Sequence, residues 1–86
     1  MNLDRRISRL IAVGASVAAN CQPCLQTNAA KALENGASEA EIAAAIEVGK
    51  MVRQGAATKM DAFASSLSQA TPASAGSPVG GCGCSS

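Results

Sequence analysis

Apolar side chains recur every three or four residues along most of this chain, a period that admits amphipathic helices and little else. The first run, Leu3, Ile7, Leu10, Ile11, Gly14, Val17 and Ala18, predicts a helix over residues 3–19. Asn20 breaks it, because a short polar side chain tolerates the left-handed region and can also cap a second helix. Pro23 falls in the first turn of that second helix, predicted over residues 21–34, where its missing N–H costs nothing. Asn35-Gly36 ends it, with Gly36 supplying the left-handed residue. Ser38-Glu39-Ala40-Glu41 then has the spacing of a capping box, and two acids in a first turn suit the helix dipole. The stripe Ile42, Ile46, Gly49, Val52, Ala56, Met60, Phe63 and Leu67 carries a long third helix to about residue 68. No stretch alternates with the period of a strand, and no internal repeat appears. The expected fold is therefore all-α: a three-helix antiparallel core of two shorter helices and one long one.

An 86-residue chain has room for one domain. Hydrophobic residues make up 48% of it, but Ala is by far the commonest of them and Phe63 is the sole Phe, Tyr or Trp, so the core of one copy is thin. That thinness favours a homo-oligomer, in which more Leu, Ile, Val and Met surface is removed from water. Gly49 and Gly55 inside the third helix read as points of close helix approach, and Met51 and Met60 as core gap-fillers. Lys31, Glu34, Glu47, Lys50 and Arg53 read as exposed-face charges, with Glu47 and Lys50 spaced to pair.

A net charge of +1, with no interleaving of aromatic and basic residues, leaves no footprint for nucleic acid. Arg5, Arg6 and Arg9 form a small basic cluster, read as a solvated helix face. No apolar run is long enough to span a bilayer, so no membrane partner is expected. The N-terminus makes a poor signal peptide, since Asp4 interrupts its basic start and the adjoining segment is rich in Ala, Gly and Ser. A cytoplasmic location is expected. There, four cysteines point to redox or metal chemistry rather than to a structural disulfide framework.

Cys21-Gln22-Pro23-Cys24 is the motif with the most chemistry. A helix N-terminus offers unpaired N–H groups and the positive end of the dipole, which favour thiolate over thiol. Residues three apart share a helix face, so Cys21 and Cys24 can close a disulfide with little backbone movement and one can resolve the product that the other forms. The bland alternative is two small buried hydrophobes. The dipole argument favours Cys21 as nucleophile.

The segment from Leu10 to Leu25, containing Asn20-Cys21-Gln22-Pro23-Cys24, and then Lys31-Ala32-Leu33-Glu34-Asn35-Gly36-Ala37-Ser38-Glu39-Ala40-Glu41-Ile42, resembles the carboxymuconolactone decarboxylase family, in particular its alkylhydroperoxidase D-like branch. The resemblance covers about residues 3–65. It implies an all-α core assembling as an oligomer and a C-x-x-C pair acting as peroxidase or disulfide reductase. It also implies that Cys24 meets peroxide while Cys21 resolves, the reverse of the dipole argument, and the order stays open. The family pattern C-x-x-C-x-x-x-H places its histidine on Asn28, in a chain with no histidine, and its glutamate falls near Arg9. Asn28 can stand in as a hydrogen-bonding group but not as a base. These departures shift the expected activity from peroxide reduction, and further still from decarboxylation, towards thiol exchange with a dithiol or disulfide protein or a small-molecule redox partner.

Residues 1–69 are thus expected to form the helical domain. Residues 70–86 read as a flexible Ala/Ser/Pro/Gly-rich tail ending in Cys82-Gly83-Cys84. That second vicinal pair has three readings: an exchange shuttle serving Cys21 and Cys24, half of a soft-metal or metalloid clamp formed by Cys21, Cys24, Cys82 and Cys84, or an idle end. No cofactor is expected on the first reading, and a thiolate-bound soft metal on the second.

Overall fold

The computed structural model describes residues 2–70, with side chains described through residue 68. The described part is all-helical: α1 spans Arg5–Ala18, α2 spans Gln22–Glu34 and α3 spans Glu39–Ala70. The three expected helices are all present. The first starts later than the apolar stripe does, because Asp4 is its cap: the carboxylate accepts from the Arg6 N–H at 2.9 Å.

Both chain reversals are Schellman turns. At the end of α1, Asn20 sits at φ 58°, its N–H donates to the Val17 carbonyl, and the Cys21 N–H reaches back to the Ser16 carbonyl. At the end of α2, Gly36 sits at φ 94°, its N–H donates to Leu33 and the Ala37 N–H to Ala32. Ala32 and Ala37 are both buried there, the apolar contact that accompanies this motif. The capping box then opens α3 as expected. Ser38 Oγ accepts from the Glu41 N–H and Glu41 Oε1 accepts from the Ser38 N–H, each at 3.0 Å.

The described residues through Ala56 form one compact unit. Its centre is Val13 and Ala32, both fully buried, with Ala37 beside them and Leu10, Leu25, Ile42 and Ile46 packed around. Contacts from α1 to α3 advance in the same direction along both: Arg6 with Glu41, Gly14 with Ala45 and Gly49, and Val17 with Arg53. The unit is therefore up-down-up, with α1 and α3 parallel and α2 antiparallel to both. α1 and α3 meet backbone to backbone. A Cβ on Gly14 would lie 3.0 Å from the Ala45 carbonyl oxygen. One on Gly49 would collide with the Gly14 carbonyl oxygen and sit 2.8 Å from Val17 Cβ.

Several expectations are corrected. Gly55 has nothing within 4 Å of a Cβ position, so close approach explains Gly49 but not Gly55. Met51 and Met60 are 70% and 63% exposed and fill no core gap: the apolar period continues along α3, but it leaves these side chains largely uncovered. Residues from Ala57 onward fall in a second unit, whose described part is the last stretch of α3, with Phe63 more than half exposed. The basic cluster is not simply solvated. Arg6 Nη1 donates to Glu41 Oε2 at 2.6 Å and Arg9 Nη1 to Asn28 Oδ1 at 2.8 Å. Glu47 and Lys50 pair at 3.2 Å as expected. The tail beyond Ala70, Cys82 and Cys84 included, lies outside the described residues.

Two measurements check this packing. Gly49→Ala is expected to destabilise the protein by about 1–3 kcal/mol, since backbone must move to admit the methyl group, whereas Gly55→Ala is expected to stabilise it by about 0.5–1 kcal/mol; urea unfolding reads both. The second concerns acid. Hydrogen bonds from the Ser38 N–H and then from Arg6 hold the Glu41 carboxyl below its ordinary value. A depressed carboxyl contributes stability that is fully present above its unfolded-state pKa and is lost as pH falls through the folded-state value. Stability should therefore drop on acidification below the ordinary carboxylate range, and Glu41→Gln should flatten that slope.

Candidate functional site

The cysteine motif is placed by the α1 turn. The Cys21 N–H completes the Schellman turn through Ser16 at 3.0 Å, which leaves the residue in extended backbone at φ −105° as the N-cap of α2. Its Sγ accepts from the Cys24 N–H at 3.3 Å. Cys21 is thus the cap rather than the first helical residue, which corrects the reading of Asn20 as a cap for this helix, and Pro23 falls in the first turn as its fixed φ requires. One turn on, Cys24 completes the pair. The two are joined as a disulfide, with Cα atoms 5.2 Å apart. Cys24 is exposed and Cys21 is half-buried.

Cys21 borders a small cavity of about 170 Å³ shared with Ser16, Asn20, Leu25 and Arg53. Arg53 crosses from α3 to close the end of α1: its Nη1 donates to Asn20 Oδ1 at 3.1 Å and to the Val17 carbonyl at 3.4 Å. A guanidinium therefore braces the left-handed residue immediately before the cysteine pair. Arg53 is exposed as expected, and its contacts to the α1 turn are the part that the reading as an ordinary surface charge missed. Its signal lay in register, four residues after Gly49 and hence on the face turned to α1.

Asn28 lies one turn beyond Cys24 on the same face of α2. Its Oδ1 accepts from Arg9, and its Nδ2 donates to Ser16 Oγ at 3.3 Å. Ser16 is 5% exposed and its hydroxyl donates to the Ala12 carbonyl at 2.6 Å, so the chain Arg9–Asn28–Ser16–Ala12 is fully partnered. Ser16 was not singled out from sequence, although a polar residue between Val13 and Val17 on the buried face was its signal.

A family model described as the carboxymuconolactone decarboxylase family matches residues 2–65. The chain belongs to the carboxymuconolactone decarboxylase family. Comparison with curated proteins and with solved structures returned no match. The matched span contains the C-x-x-C pair, Arg9 and Asn28, and leaves out Cys82 and Cys84. Among the described residues, no group of three or more His, Cys, Asp or Glu side chains gathers as a metal would require, and the Cys₄ set foreseen for a soft metal needs the two tail cysteines that lie outside them. No described helix is long and apolar enough to cross a membrane.

Asn28, where the resemblance places a histidine, is thus in direct contact with Arg9, near which it places a glutamate. A carboxylate and an imidazole can pass a proton. A guanidinium and an amide cannot near neutral pH. What the pair supplies is geometry: a hydrogen bond that spans α1 and α2 one turn beyond Cys24, with a positive charge at its α1 end.

Proposed function

We propose that the protein is a thiol–disulfide oxidoreductase of the alkylhydroperoxidase D-like type, needing no cofactor, with peroxide reduction at most a weak side activity. The observation that carries this reading is the asymmetry of the cysteine pair: Cys24 exposed, Cys21 half-buried with its sulfur on an N–H of the α2 terminus. An incoming thiolate reaches Cys24 Sγ. The S–S bond breaks towards Cys21, whose departing thiolate is held by the Cys24 N–H and the helix dipole. Cys24 then carries the mixed disulfide, the order that the family resemblance implies. Reduced protein runs the same steps backwards, Cys24 attacking and Cys21 resolving. Cys82 and Cys84 serve in this reading as accessory exchangers for that pair, and a cytoplasmic setting supplies the thiols.

Self-association belongs to the same proposal, with a second copy of this chain as the occupant of the apolar groove between α1 and α3. Ile11, Val48 and Val52 on that groove are each more than half exposed, while the buried core is built from Val13, Val17, Ala32 and Ala37. A core of such small side chains gains most by covering that groove. Sedimentation of the full chain should give a species larger than the monomer, and Val52→Glu should shift it towards the monomer.

Two kinetic outcomes test the chemistry. Cys21→Ser and Cys24→Ser are each expected to abolish turnover of a dithiol-coupled disulfide reductase assay, and unchanged turnover in both would sink the reading. The double variant Arg9→Glu/Asn28→His restores the acid–base pair, and peroxide consumption is expected to rise about 10²-fold or more, the usual range for a positioned proton donor.

A further inference from the structure

Where the cysteines sit at one end of the α1–α2 seam, a charged cleft opens at the other. It is walled by Arg5 and Arg9 from α1, by Lys31 and Glu34 from α2, and by Asn35, the cap at the end of α2. Three cations face one carboxylate, and that carboxylate, Glu34, stands 3.8 Å from Lys31 and neutralises it only loosely. Arg6, the remaining cation of the cluster, is turned to Glu41 and away from this wall. Arg9 is half-buried and held in place by Asn28, so its charge is fixed rather than waving in solvent. The cleft measures about 690 Å³, the size of a pocket for a small molecule rather than for a single ion.

The two ends are connected along one face. Cys24, Asn28 and Lys31 succeed one another at i, i+4 and i+7 on α2. At the helical rise, Lys31 lies about 10 Å from Cys24 and Asn28 about 6 Å. A molecule whose sulfur is at Cys24 can therefore lay its other end among Arg9, Arg5 and Lys31.

We propose that this cleft binds the anionic end of the redox partner, and that the partner is a low-molecular-weight thiol and its disulfide, carrying carboxylate groups within about 10 Å of the sulfur. The proposal rests on the thiol–disulfide reading and specifies its substrate. Two molecules of thiol, RSH, meet the oxidised pair. The first attacks as RS⁻ on Cys24 Sγ, forming the Cys24–R disulfide, breaking the Cys21–Cys24 bond and leaving Cys21 as thiolate, which takes a proton from solvent. The second attacks the R sulfur, releasing RSSR and the Cys24 thiolate, which is protonated in turn. Two electrons pass from two RSH to the protein disulfide, giving RSSR and the dithiol. The cations of the cleft raise the local concentration of the anionic partner before each attack.

The test is exchange by the full chain with glutathione, which has two carboxylates, and with cysteamine, which is cationic. Arg5→Glu/Lys31→Glu is expected to slow exchange with glutathione about tenfold and to speed exchange with cysteamine. In the native protein, raising ionic strength from low to physiological should slow glutathione and not cysteamine, a check that needs no variant to fold. Both thiols responding alike to the variant and to salt would overturn the cleft while leaving the redox reading intact. Binding of S-methylglutathione, which has no thiol to exchange, is read separately by amide shifts of α1 and α2. Binding without exchange of any thiol would uphold the cleft and sink the redox reading. Absence of binding together with an unaltered glutathione rate in the variant would sink the cleft.

Discussion

Everything at the candidate site depends on how the chain turns between α1 and α2. The turn uses one residue for both helices: the main-chain N–H of Cys21 satisfies a carbonyl at the end of α1, and its side chain satisfies an N–H at the start of α2. Orphan backbone groups at helix ends must find partners, and here a sulfur is one of them. Asn20 makes this possible by accepting a left-handed backbone, which an ordinary side chain resists. Arg53 fixes that asparagine from a third helix, so the turn is tied to the tertiary fold as well as to its own sequence.

Helix ends were readable from sequence because their causes are local. Asn20 as a helix breaker, Pro23, Gly36 and the Ser38–Glu41 pair each act within a few residues and behave in the structure as their chemistry requires, although the cap of α2 is Cys21 and not Asn20. Cross-helix partners were not readable in this way. Arg6 meets Glu41 across 35 positions and Arg53 meets Asn20 across 33, and a single sequence carries no signal of such pairings beyond helical register. Periodicity also overstates burial. It shows that Met51 lies on an apolar stripe but not whether anything in the same chain stands opposite, and the side chain is left 70% exposed. The equal treatment of Gly49 and Gly55 failed for the same reason, since only the former falls on the line where α3 touches α1.

Arg9 and Asn28 illustrate a different limit. Alignment to the family pattern marks each as a separate loss, yet in the folded protein they are hydrogen-bonded to one another and, through Ser16, to the α1 backbone. The pair forms a brace and a charge, and neither side chain passes a proton near neutral pH. Peroxide cleavage needs a proton delivered to a leaving oxygen, whereas sulfur–sulfur exchange leaves a thiolate that a helix terminus already favours. The same substitution therefore weighs on the two chemistries unequally.

The two Schellman turns also bear on how the molecule forms. Each closes within a window of six residues, from Ser16 to Cys21 and from Ala32 to Ala37, so the reversals need no distant contact to be specified. Chains whose topology is set by such short loops have low contact order and fold fast, on a scale of microseconds to milliseconds for helical bundles. Oxidation of thiols is far slower. Backbone capping thus sets Cys21 and Cys24 side by side through contacts that do not depend on the sulfur bond between them.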